Sequence, residues 1–141
     1  MRGFLPMLPV GCTGALVATL VAGCSTPRPA HEMGVVMGTV TYRERMMIPP
    51  NTTLRVALED VSRADAPAKV VVESAQTVSN GPPYAFELRF RSAEIDPSRR
   101  YNVRASLIVG GKAWFTSTEA VPVLTHGNSD VVEVLVSRSG K

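Results

Sequence analysis

"YAFELRFR", residues 84–91, decides how the body of this chain folds. Tyr84, Phe86, Leu88 and Phe90 fall on one parity, while Glu87, Arg89 and Arg91 fall on the other. A period of two places successive side chains on opposite sides of an extended backbone, so the stretch predicts a strand with one apolar and one wet face. The same period recurs outward from it. Leu54, Val56 and Leu58 alternate with Arg55, Ala57 and Glu59, and Tyr101, Val103, Ala105, Leu107 and Val109 form a third set. Residues 35–43, 69–76, 112–118 and 131–136 complete seven predicted strands. The gaps carry turn residues: Pro49-Pro50-Asn51, Ala66-Pro67, Asn80-Gly81-Pro82-Pro83, Asp96-Pro97-Ser98, Gly110-Gly111 and Gly127-Asn128.

No segment shows a helical period. Seven short strands in about 100 residues predict a single all-β domain, an antiparallel β-sandwich of immunoglobulin-like or prealbumin-like type. Ile95-x-Pro97-x-x-x-Tyr101 has the spacing of a tyrosine corner, in which the hydroxyl bonds back to the preceding turn; a plain core-facing Tyr101 is the simpler alternative. The Gly110-Gly111 hairpin admits two registers. A two-residue loop pairs Leu107 with Trp114, whereas a three-residue loop with a bulge pairs Leu107 with Phe115 and turns Trp114 outward beside Ile108. The second is the expectation.

The chain has 141 residues, 45% hydrophobic and 19% charged, with a formal net charge of +3. That is a globular composition, and its scattered arginines form no basic patch of the kind nucleic acid requires. Its two cysteines, Cys12 and Cys24, both precede the predicted domain, so neither a disulfide framework nor a cysteine metal site is available to it. Residues 3–27 carry no charge, and their apolar run ends at Val21-Ala22-Gly23-Cys24. This resembles the lipobox of bacterial lipoproteins, with an uncleaved signal anchor as the competing reading. It implies a signal peptide over 1–23 and a mature protein beginning at a Cys24 that carries covalent acyl chains, enough for stable anchoring. Ser25 after the cysteine favours the periplasmic face of the outer membrane. Residues 24–34 then form a tether, 35–137 the domain and 138–141 a tail.

Catalytic chemistry finds little to work with. His31 lies in the tether, and His126 beside Gly127-Asn128 reads as a turn residue rather than a general base. Glu59, Asp60 and Asp65 make at most a weak calcium site. No catalytic set, metal site, cofactor or nucleotide loop is expected, apart from the lipid on Cys24. The stretch "YRERMMIPPN", residues 42–51, mixes Arg43, Glu44 and Arg45 with Met46, Met47 and Ile48. Methionines adapt to irregular partners, so Tyr42, Arg43, Arg45, Met46 and Met47, with Ile108 and Trp114, are the candidate partner-binding residues. In the alternative reading, Met46 and Ile48 plug an open end of the fold while the arginines face water.

Four blocks, "GTVTYRERMMIPPNTTLRVALEDVSRADAP", "GPPYAFELRF", "IDPSRRYNVRA" and "FTSTEAVPVLTHGN", resemble in order and spacing the YbaY-type lipoproteins, a family that also takes in the YscW-type pilotins of type III secretion. The resemblance covers residues 38–136. It implies a compact β-domain on a lipid anchor, with no cofactor and no established catalytic residues; the pilotin branch helps secretin subunits reach and assemble in the outer membrane. The function expected is a non-enzymatic protein-binding or assembly module of the envelope, in its narrower form a pilotin. An inhibitor or envelope-glycan binder using Trp114, Tyr42 and the arginines is the alternative.

Overall fold

The computed structural model describes residues 32–140. The expected signal peptide over 1–23, with Cys12, Cys24 and His31, lies outside the described residues. Eight strands follow in chain order: β1 Met33–Thr41, β2 Thr52–Asp60, β3 Lys69–Val78, β4 Tyr84–Arg91, β5 Tyr101–Val109, β6 Lys112–Ser117, β7 Val121–Val123 and β8 Val131–Arg138. A single 3-10 turn, Ser92–Glu94, separates β4 from β5. In β4 burial alternates residue by residue, with Tyr84, Phe86, Leu88 and Phe90 inside, as the period of two requires.

The strands form one curved sheet ordered β3-β2-β5-β6-β8-β1-β4, with β7 attached to β5. This corrects the expected sandwich to a nearly closed, barrel-like sheet of eight strands. Two features make the difference. First, β8 straddles what would be two layers: Val136 to Arg138 pair with β6, and Val131 to Leu135 pair with β1. Second, the β1–β8 ladder is parallel, which also corrects the expectation of a wholly antiparallel fold. The eighth strand, β7, is three residues long and contains Pro122 opposite Asn102, too short to display a period.

Gly38 is required at the β1–β8 join. It pairs with Val132, and a Cβ at that position would overlap the Val132 carbonyl oxygen, so the two backbones meet only because the residue has no side chain. Inside, Val36, Val40, Leu54, Leu58, Leu88, Tyr101, Val103, Leu107, Phe115, Val134 and Val136 are buried and form a continuous core. Tyr101 makes the predicted corner: its hydroxyl oxygen accepts the Asp96 N–H at 2.9 Å. Leu107 pairs with Phe115, as expected. The loop, however, has two residues and not three: Gly110 and Gly111 both hold positive φ, 57° and 79°, the requirement of a tight type I′ hairpin, and a bulge in the ladder at Leu107/Ile108 absorbs the extra residue.

Candidate partner-binding surfaces

The 42–51 segment closes one end of the barrel. Tyr42 continues the inward parity of Val36 and Val40; its ring stacks on Phe115 at 5.0 Å between centroids, and its hydroxyl donates to the Met46 carbonyl at 3.0 Å. Ile48 is buried and Met46 is packed partly against the core. Arg43 and Arg45 face water, and Met47 is 83% exposed. The segment is therefore a plug whose outer rim is Arg43, Arg45 and Met47, while Tyr42 belongs to the core. Burial holds the Tyr84 phenol, whose hydroxyl donates to the Asn80 carbonyl at 2.6 Å, well above the ordinary tyrosine range.

The β5–β6 hairpin does not carry the exposed aromatic patch the sequence predicts. Ile108 stands opposite Ala113, and Trp114 packs half-buried against the core. Trp114 borders a shallow cleft of about 400 Å³ with Lys112, Arg138 and Ser139, and its carbonyl accepts the Ser139 N–H at 2.8 Å.

The third surface lies where the sheet fails to close. β3 and β4 are the two ends of the strand order, each paired on one side only. Near their connecting turn they are bridged by a side chain rather than a ladder, the Gln76 amide donating to the Ala85 carbonyl at 2.7 Å. At the other end the seam opens into a cleft of about 390 Å³ between Lys69, Val70 and Val71 of β3 and residues 93–96. Asp60, Arg99 and Tyr101 form its floor. Which edges stay free is revealed by the strand order alone.

That floor is cross-linked by hydrogen bonds and ion pairs. Asp60 Oδ1 accepts the Ser62 hydroxyl at 2.6 Å and the Ser62 N–H at 3.0 Å, while Asp60 Oδ2 meets Arg99 at 2.8 Å. The Ser62 hydroxyl, and then Arg99, hold the Asp60 carboxyl down to about 2. Asp96 repeats the arrangement with Ser98, which lowers its carboxyl below the usual range, and lies 3.6 Å from Arg99. Both carboxylates thus keep their charged form and act as turn pins, a poor state for a general acid. Glu59 instead meets Arg104 at 3.5 Å, so it shares no site with Asp60. Among the described residues no three His, Cys, Asp or Glu side chains gather as a metal site would require. His126 sits in the β7–β8 turn with φ 58°, beside Leu124 at 67° and Gly127 at 82°.

Comparison with known proteins decides the relationship. The family model of the type III secretion system lipoprotein chaperone (YscW) matches residues 31–136. The chain belongs to this family. Within it, the chain is 34% identical over 113 residues to the uncharacterized lipoprotein YbaY of Escherichia coli (strain K12); the match takes in 79% of this chain and 60% of the length of that relative. It is similar as well to the structure of an alternative pilotin from the type II secretion system of Vibrio cholerae, with a TM-score of 0.74 and 32% identity over 78% of this chain and 100% of that one. The blocks that carry the YscW-family resemblance coincide with backbone constraints. Gly38 makes the β1–β8 join, Asp96 to Tyr101 make the corner, and Leu124 to Gly127 hold the strained turn.

Proposed function

We propose that this chain is a lipid-anchored envelope protein that binds another protein without catalysing a reaction, held through Cys24 on the periplasmic face of the outer membrane. Membership of the lipoprotein chaperone family and the likeness to a type II secretion pilotin support the reading. The observation that carries it is the open edge of β3. Ten residues long, this strand has no proline, bears only Lys69 and Glu73 as charges, and turns its free backbone groups toward the seam. Proteins ordinarily blunt such an edge, because it is a template for an added strand. Val70 stands exposed at the mouth of the cleft, where an incoming segment would meet it. The narrower form of the proposal is a pilotin for an outer-membrane secretin.

Photo-crosslinking in cells from Val70 and Met47, with Cys24 intact and with Cys24→Ala, tests this. One envelope protein recurring from Val70, and lost without the anchor, is the expected result. Crosslinks from neither position, or crosslinks indifferent to Cys24, overturn it. The cleft beside Trp114, rimmed by Lys112 and Arg138, supports a second reading as a glycan binder, since an aromatic face and cations suit a sugar acid. Binding of peptidoglycan fragments, abolished by Trp114→Ala, would favour that reading.

A further inference from the structure

We infer that the outward face of β1, with the start of β8, rests against the bilayer that holds the anchor, so that Met33, Met37 and Val131 sit in the headgroup–acyl boundary. The inference rests on the reading of Cys24 as the lipidated residue. Met33 is 54% exposed, Met37 45% and Val131 59%, and Met37 and Val131 are direct register partners across the parallel ladder. Met33, Val35 and Met37 share one parity of β1, and Val131 joins them through its register with Met37, so these four side chains lie on one outer face. Of the five large hydrophobic residues exposed among the described residues, three are here; the other two, Met47 and Val70, lie apart. Clustering of this kind marks a contact surface, whereas single exposed residues do not.

Chain length argues for the bilayer as the occupant. β1 begins at Met33, and its entry is pinned by the Ser92 N–H donating to the Glu32 carbonyl at 2.9 Å. Only eight residue steps separate Glu32 from Cys24. Fully extended they reach about 29 Å, roughly the length of β1 itself. A bilayer holding Cys24 therefore lies no more than about 29 Å from Glu32, which puts the Met33 end of this face within its reach.

Charge argues for apolar contact rather than attraction to anionic lipid. Across the β1–β4 register, Arg91 stands beside Met33, Arg89 beside Val35 and Glu87 beside Met37. Arg89 is ion-paired with Glu87, and on the β8 side Glu133 accepts a hydrogen bond from Thr41 at 3.2 Å. Both signs are present, and the long arginine side chains can lie along the surface with their heads in the interface. In the strand order, β2 and β5 lie across the barrel from β1, and their outer surface carries the Arg55–Glu73 and Glu59–Arg104 ion pairs. Both sides of the barrel carry ion pairs, and the exposed cluster of Met33, Met37 and Val131 lies on the β1 side alone.

The test uses the full lipidated protein in vesicles of zwitterionic phosphatidylcholine and phosphatidylethanolamine. The mature chain has no free thiol once Cys24 is acylated, so a nitroxide can be placed at Met37→Cys, Val131→Cys or, across the barrel, Arg55→Cys. At Met37 and Val131, collisions with oxygen should exceed those with a water-soluble nickel chelate several-fold, at both low and high salt. At Arg55 the order should reverse. Equal nickel accessibility at all three positions, in protein that floats with the vesicles, overturns the docked face and leaves the anchor standing. Protein that does not float overturns the anchor reading and this inference with it. Spin–spin broadening at Met37 that grows with protein density makes the occupant a second copy, and also overturns it.

Discussion

The two outer faces of this barrel obey the same alternation yet differ in kind. On the β3–β2–β5 side the outward residues are paired charges: Arg55 lies 2.5 Å from Glu73, and Glu59 lies 3.5 Å from Arg104. On the β4–β1–β8 side Met37 faces Val131 in register, with Met33 further along the strand. Inside, both halves supply the same aliphatic and aromatic core. Folding is driven by the inward parity, since burial of apolar area is the dominant favourable contribution. The outward parity is then free to match what each face meets. A row of diagonal ion pairs suits water, and an apolar row bordered by the Glu87–Arg89 pair and Arg91 of β4 suits an apolar–polar boundary.

The strongest way to break the comparison is at the join that creates the apolar face. Gly38→Ala would push a Cβ into the Val132 carbonyl oxygen, a backbone atom with no rotamer by which to withdraw. A loss of about 3 kcal/mol is expected, at the upper end of overpacking effects. Urea unfolding of the soluble domain checks it; a loss below about 1 kcal/mol would mean that the parallel β1–β8 ladder is not held as tightly as described.

The charged half should respond to acid. The folded-state pKa of Asp60 lies at about 2, below its ordinary 3.8, because Ser62 and then Arg99 favour the carboxylate. A depressed carboxyl stabilises the fold above its unfolded value, and that contribution disappears as pH falls from about 4 to about 2. Since Arg99 is half exposed, screening reduces the effect to about 1 kcal/mol, or 2 at most. Asp60→Asn should flatten the stability profile over this interval while losing a similar amount at neutral pH. An unchanged acid slope would assign the sensitivity to other carboxylates.

Much of this contrast was legible in the sequence. The alternation of β4, the corner at Tyr101 and the Leu107–Phe115 pairing all follow from local spacing, because each depends on residues close in the chain. Closure of the sheet does not. A strand shows one inward face whether it belongs to a sandwich or a barrel, and the β1–β8 ladder joins residues more than 90 positions apart with no turn to encode it. The burial of Tyr42 had a usable signal, since Val36, Val40 and Tyr42 share a parity, but the charged residues after it make the segment read as an exposed loop. The open β3 edge could not be found without the strand order, because β3 has the composition of a paired strand.

The corner offers a smaller test of how firmly the charged side is set. Tyr101→Phe keeps the buried ring but removes the acceptor of the Asp96 N–H, at a cost of about 1 kcal/mol. Hydrogen exchange at Asp96 should accelerate in the variant, and unchanged exchange would show that the corner does not hold the turn beside the cleft.

The least effect, and the sharpest reading of the comparison, belongs to the Arg55–Glu73 pair. Its side chains are 50% and 34% exposed, and the Arg55 guanidinium is shifted above its ordinary value chiefly by its hydrogen bond to Glu73. An ion pair so open to solvent contributes little net stability, because water competes for both partners and salt screens them. A double-mutant cycle with Arg55→Ala and Glu73→Ala should return a coupling barely above its measurement error, shrinking toward zero at high salt. Such a result leaves the charged row with little part in stability, and it then reads as the signature of a face that stays in water. A coupling several times larger would make the row a structural brace. The chemistry of the two outer faces would then no longer be a free record of their surroundings, and the case for a membrane-facing β1 would have to stand on the exposed methionines alone.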